Sequence, residues 1–402
     1  MSKFVFDWYP GISGQLEILS PPTKDDKFQV RYTPPFRATL RAPLEDADVG
    51  LGDMNPIHTG LEELVKRMKT AESRKSQVAP PPEPPSASGE VYQKLRELGD
   101  TLLSLMLPGK VQDELQQPGL FLEIGTDEEL ILLPWELLFD GQDFLCRKSR
   151  IGRFVQLSKT AVLPNMRPKQ VFGEELDELR VLVVSVPKPQ PMKDGKPLGN
   201  FEELSGVIKE TEAISATLGK IDGVRHHVLE AATWQGFRSA VQVAPGQNPY
   251  HIVHFSGHAQ SNPEGAEGSG IVLQDQLCTT GQLKRFFARN PPAFCFLNAC
   301  ETSQLTGSVV SWRKQHNLFG LASAILESGS YLLGSCWRIK DDTAATFAKS
   351  FYESFLARPG TTIGDAISQA RQLAVDKEDP DNIGWAAYIY YGDPRLFLRK
   401  IG

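Results

Sequence analysis

Two side chains in this 402-residue sequence combine the types and the placement that nucleophilic catalysis needs. His258 follows Gly257 at the end of the run 250-YHIVHFS-256, and Cys300 follows the run 293-AFCFLN-298. A free thiol has a reference pKa near ~8.5, so a neighbouring imidazole is needed to supply thiolate and then to protonate a leaving amine. Each residue alone is bland. A cysteine beside an apolar strand is most often a small buried hydrophobe, which is the reading for Cys295 and Cys336. Cys146 and Cys278 lack an activating pattern. The pair carries more weight than either member, because both residues follow strands of one sheet. Gly257 adds the backbone freedom for a turn at the strand end.

The other histidines read differently. His254 lies within its strand and is expected to be packed and hydrogen-bonded. A metal site built from His251, His254 and His258 conflicts with strand alternation, which sends 251 and 254 to opposite faces. Asn298 and Glu301 flank the thiol and serve equally well as loop-positioning or backbone-bonding groups.

The elements that must position the pair follow from periodicity. Apolar strands are expected at 180–186, 224–230, 250–256, 293–298, 331–337 and 386–391. Helical patterns lie between most of them, at about 201–219, 234–243, 280–289, 317–328, 342–357 and 363–376. Near-continuous apolar strands bounded by helices predict an α/β fold, a mostly parallel sheet with helices on both faces. In such sheets functional residues gather at the carboxyl ends of the strands.

Upstream, KFVFDWY, GQLEILS, KFQVRYT and ATLRAPL predict a small strand-rich N-terminal domain over 1–78, closed by a helix through Leu61, Leu64, Val65 and Met68. The stretch 79-APPPEPPSASG-89 reads as a linker. Residues 90–177 read as a segment packed on the core. It holds a helix through Val91, Leu95, Leu98, Leu102 and Leu105, strands at 120–124 and 130–133, and a short helix opened by Pro134. The remainder, 178–402, is the main α/β domain.

Composition narrows the function classes. A net charge of −6 gives no bulk attraction for nucleic acid or membrane. No apolar run approaches the ~20 residues of a membrane helix. The start, MSKFVFDWYPG, lacks a secretory pattern, and five scattered cysteines without a C-x-x-C pair suit a reducing compartment. The expectation is a soluble, cytoplasmic protein.

The segments HIVHFSGHAQ (251–260) and FCFLNACETS (294–303) resemble the two catalytic motifs of CHAT-domain proteins, caspase-like and separase-like cysteine peptidases. The 42 positions from His258 to Cys300 are near the ~50-residue spacing of caspases. LPWELLFD (133–140), the stretch 320–356, GDAISQAR (364–371) and WAAYIYYGDP (385–394) resemble the same family in the same order, so the likeness covers about 118–398.

The resemblance implies a regulated cysteine endopeptidase without metal or organic cofactor. His258 is the general acid/base, Cys300 the nucleophile, and the backbone N–H groups of Ala259 and Cys300 form the oxyanion hole. Family members usually carry glycine at 259; alanine crowds the site but still donates its N–H. The specificity pocket falls on 335-SCWRIKDD-342, where Asp341 or Asp342 would select a basic P1 residue and Arg338 an acidic one. Helix capping accounts for Asp341 or Asp342 equally well. The segments 301–317 and 259–270 read as walls or gates of the cleft. The resemblance also implies a dedicated protein substrate, such as a gasdermin or another pro-effector protease, in bacterial defence or cell death, with an activating partner at the N-terminal domain. The competing reading is a catalytically weak interaction scaffold; a thiol acyltransferase is a third.

Overall fold

The computed structural model describes residues 3–9, 14–19, 27–33, 45–50, 59–60, 63–64, 66–67, 89–117, 119–127, 130, 133–158, 161–162, 173–193, 195–242, 250–260, 269–300, 316–337, 339–358 and 360–401. The expected strand at 38–44, the linker over 79–88, the segments 261–268 and 301–315, and Arg338 lie outside them.

The strands of the first half are β1 (Lys3–Trp8), β2 (Gly14–Leu19), β3 (Lys27–Thr33), β4 (Glu45–Gly50), β5 (Phe121–Asp127), β6 (Arg150–Ser158), β7 (Ala161–Val162) and β8 (Leu179–Ser185). Then come β9 (Met192–Lys193), β10 (Lys196–Pro197), β11 (Val224–Glu230), β12 (Ile252–Gln260), β13 (Gly270–Val272) and β14 (Leu277–Thr279). The last are β15 (Phe294–Cys300), β16 (Tyr331–Ser335), β17 (Tyr388–Tyr391) and β18 (Leu396–Ile401).

The central sheet runs β11-β8-β12-β15-β16-β17-β6-β5-β2-β3-β4. Its first five strands are mutually parallel, and β17 reverses against β16. The strand-rich N-terminal region divides. β1 forms a separate two-stranded sheet with β18, whereas β2 pairs with β5 and so carries β3 and β4 onto the edge of the central sheet.

Alternation along the buried strands sorts their side chains into two layers. Val181, Val183, Ile252, Phe294 and Phe296 pack with Ile214 of helix Ser205–Leu218 and Phe347 and Phe351 of helix Asp341–Phe355. Leu182, Val184, Val253, Phe255, Cys295 and Leu297 face the other way, onto Phe237, Leu283, Phe286 and Ile325 of helices Trp234–Val241, Thr280–Phe287 and His316–Glu327. Helices therefore cover both faces, as the period-2 pattern of a doubly buried sheet requires. Among the described residues no helix is long and apolar enough to cross a membrane.

Three local readings change. The run 130-LILL-133 is no strand where described: Leu133 N–H donates to Leu130 O at 3.1 Å, a turn that feeds Pro134 and the 3₁₀ segment Trp135–Leu137. β6 was not apparent, because Arg150, Gly152 and Arg153 interrupt its apolar pattern. Arg153 is nevertheless 1% exposed, its guanidinium paired with the buried Glu136 of the PWELL segment. Gly257 makes no turn, since β12 runs through it to Gln260. A Cβ there would stand 3.0 Å from the Phe255 ring and 3.2 Å from Val186 O, so close packing is its constraint.

His251 introduces a pH dependence. Its Nδ1 accepts the Arg180 N–H at 3.0 Å. Burial, and secondarily Arg180, lower its pKa from 6.5 to about 4. Between those values the unfolded chain binds the extra proton and the folded chain does not, so stability falls as pH drops through the window. The slope is up to about 1.4 kcal/mol per pH unit. Urea unfolding at pH 6.5, 5.5 and 4.5 should show this loss, and His251→Asn, which retains an acceptor, should flatten it.

Candidate active site

β12 and β15 are adjacent and parallel, in register from Ile252↔Phe294 to His258↔Cys300. The last pair sets the two candidate residues directly opposite each other at the carboxyl end of the sheet. Neighbouring strands lie ~4.8 Å apart and register partners share a face, so positions 258 and 300 are adjacent on one side of the sheet. Positions 254 and 256, and 296 and 298, precede them on that side.

His258 is 8% exposed. Its Nε2 lies 2.8 Å from the backbone O of Glu202, and its ring packs on Phe201 at 5.3 Å between centroids. A carbonyl oxygen only accepts, so Nε2 carries the proton and Nδ1 presents a lone pair. Nδ1 is thus the atom able to take a proton from a partner at the strand end.

The remaining described cysteines are held as thiols. Burial pushes Cys278, Cys295 and Cys336 well above the ordinary thiol range, and Cys146 up to about 11. Cys336 donates its S–H to Ala387 O at 2.9 Å.

His254 has the packed role expected. It is fully buried, with Nδ1 3.1 Å from the Tyr352 hydroxyl and Nε2 2.9 Å from both Glu210 Oε1 and Ser256 Oγ. His251 bonds elsewhere, and among the described residues no cluster of His, Cys, Asp or Glu could hold a metal. Ala259 continues β12 and pairs with Ile271 of β13.

Asp341 begins its own helix, but its carboxylate caps another. Oδ2 accepts from Gly206 N–H at 2.9 Å and Ser205 Oγ at 3.4 Å, at the start of helix Ser205–Leu218. Gly206 permits this approach, since a Cβ would lie 2.2 Å from Asp341 Cβ. Asp342 is exposed and pairs with Lys209 at 3.3 Å. Sequence reasoning missed Glu202, Phe201 and Glu210. Only Glu210 left a signal: a charged residue on the face that Val207, Thr211, Ile214 and Leu218 give to the core.

An in-register histidine and cysteine at the carboxyl edge of a parallel sheet, covered by helices on both sides, define a caspase-like cysteine-peptidase fold. A family model for the CHAT domain matches residues 94–393, and the chain belongs to the CHAT-domain family. A comparison with curated protein sequences finds no match. Among solved structures, a chain of the Saccharomyces cerevisiae separase–securin complex aligns with a TM-score of 0.56 at 10% identity, over 96% of this chain and 30% of that one. At that identity the likeness concerns the fold alone. The Arg-specific cysteine proteinase gingipain R aligns at a TM-score of 0.47 and 15% identity, over 87% of this chain and 76% of that one.

Proposed function

We propose that the protein is a cysteine endopeptidase working through His258 and Cys300. The observation that carries this reading is the His258↔Cys300 register pair, with His258 Nε2 tied to Glu202 O. His258 Nδ1 takes the Cys300 proton, the thiolate attacks the scissile carbonyl, and the imidazolium protonates the leaving amine. Water, deprotonated by the same nitrogen, then hydrolyses the thioester. Backbone N–H groups of Ala259 and Cys300 receive the oxyanion; one such donor is worth ~10²–10³ in rate.

The substrate on this reading is one dedicated protein, such as a gasdermin-like or pro-effector protease partner in a defence or cell-death system. A basic P1 residue would be read by Asp341 or Asp342. Asp341 already caps a helix, so Asp342, exposed beside Lys209, is the freer of the two. The test is incubation with the product of each neighbouring gene, comparing the intact protein with Cys300→Ala. A single cut made only by the intact protein is the expected result; identical patterns overturn the reading. Alanine at 259 favours the alternative of a binding scaffold, for which no cut depends on Cys300.

A further inference from the structure

The Glu210 carboxylate lies where three parts of the site converge. It is 3% exposed, and a single oxygen, Oε1, accepts from His254 Nε2 at 2.9 Å and from Asn298 Nδ2 at 2.8 Å. His254 is on β12, four residues before His258. Asn298 is on β15, two residues before Cys300. Glu210 thus bonds the two strands to each other through side chains, one layer beneath the dyad. Its own helix, Ser205–Leu218, follows directly on the segment whose Glu202 carbonyl holds His258 Nε2.

The surroundings fix this carboxylate in place. Tyr352 closes the far side of His254, and its hydroxyl is held well above the ordinary phenol range by burial and then by Glu210. The Tyr388 hydroxyl reaches Asn298 Oδ1 at 3.3 Å, and Ser256 Oγ sits at His254 Nε2. Glu210, His254, Tyr352 and Tyr388 are the titratable groups of this network, each 3% exposed or less. A buried carboxylate is costly unless donors surround it. Simple core packing would be served by an apolar residue here.

We propose that Glu210 is a positioning residue: it sets the register of positions 258 and 300 and the orientation of the His258 imidazole. The proposal rests on the peptidase reading above. Displacing a catalytic group by about 1 Å can cost ~10²-fold in rate, so a hub joining both strands and the histidine's anchor controls the reactivity of the pair.

The test uses the full chain and iodoacetamide, with alkylation of Cys300 followed by mass spectrometry from pH 5 to 9 and the thermal midpoint measured alongside. Wild type is expected to react with a midpoint below the ~8.5 of a free thiol. Glu210→Leu, which removes the single oxygen that accepts both bonds, should move that midpoint up towards the free-thiol value and slow the reaction at pH 6 at least ~10-fold. Glu210→Asp should restore part of it, and Asn298→Ala, which releases β15 alone, should shift it in the same direction. An unchanged midpoint in folded Glu210→Leu and Asn298→Ala overturns the proposal while leaving the peptidase reading intact. A wild-type profile indifferent to His258→Ala overturns the peptidase reading, and this proposal with it.

Discussion

His258→Ala is expected to cut turnover of any substrate the protein cleaves by roughly 10²–10⁴-fold, the usual contribution of a general acid–base. The loss has two physical parts. Without the Nδ1 acceptor, Cys300 at pH 7 reverts towards the few per cent of thiolate that a free thiol shows, and the departing amine has no proton donor. Cys300→Ala removes the covalent route altogether and should leave only background. Both variants should fold, because positions 258 and 300 are at the rim of the sheet and neither substitution removes a side chain of the apolar core layers or of the Glu210 network beneath them. Turnover assays and thermal unfolding on the same preparations separate lost chemistry from lost structure. Equal turnover in wild type and His258→Ala would remove the imidazole from the reaction.

Arg153→Ala is expected to have the largest effect on stability. Arg153 and Glu136 are 1% and 2% exposed, and Arg153 Nε donates to Glu136 Oε1 at 2.8 Å. Removing one partner leaves a buried, uncompensated charge, which costs about 3–5 kcal/mol. Replacing both, as Arg153→Met with Glu136→Leu, should recover most of that loss, since apolar pairs of similar volume are often neutral there. Urea unfolding of the two variants decides it. A double variant as unstable as Arg153→Ala would mean that the pair's other contacts dominate.

The contrast between Arg153 and His258 illustrates what the sequence could reveal. Strands β8, β12, β15 and β16 were legible because burial on both faces fills them largely with apolar residues, and the His258–Cys300 register pair was legible because it ends two such runs. β6 was not, since its buried arginine is neutralised by Glu136, a residue distant in the chain, and no local pattern records that pairing. Leu130 and Leu133 show the converse, where apolar content without a partner strand gives a turn. The Glu202 carbonyl is invisible for a different reason: a backbone acceptor has no residue-type signature. Asp341 was open to capping or substrate recognition, and the cap it makes is to Gly206 of another helix, which only tertiary contact supplies.

A crystal structure of the protein alkylated by a peptidyl acyloxymethyl ketone measures the decisive relation between the two groups. The adduct should sit on Cys300 Sγ alone, with His258 Nδ1 within about 4 Å of that sulfur and Nε2 still donating to Glu202 O. An adduct on another cysteine, or His258 Nδ1 turned away from Cys300 with no path to it, would contradict the account.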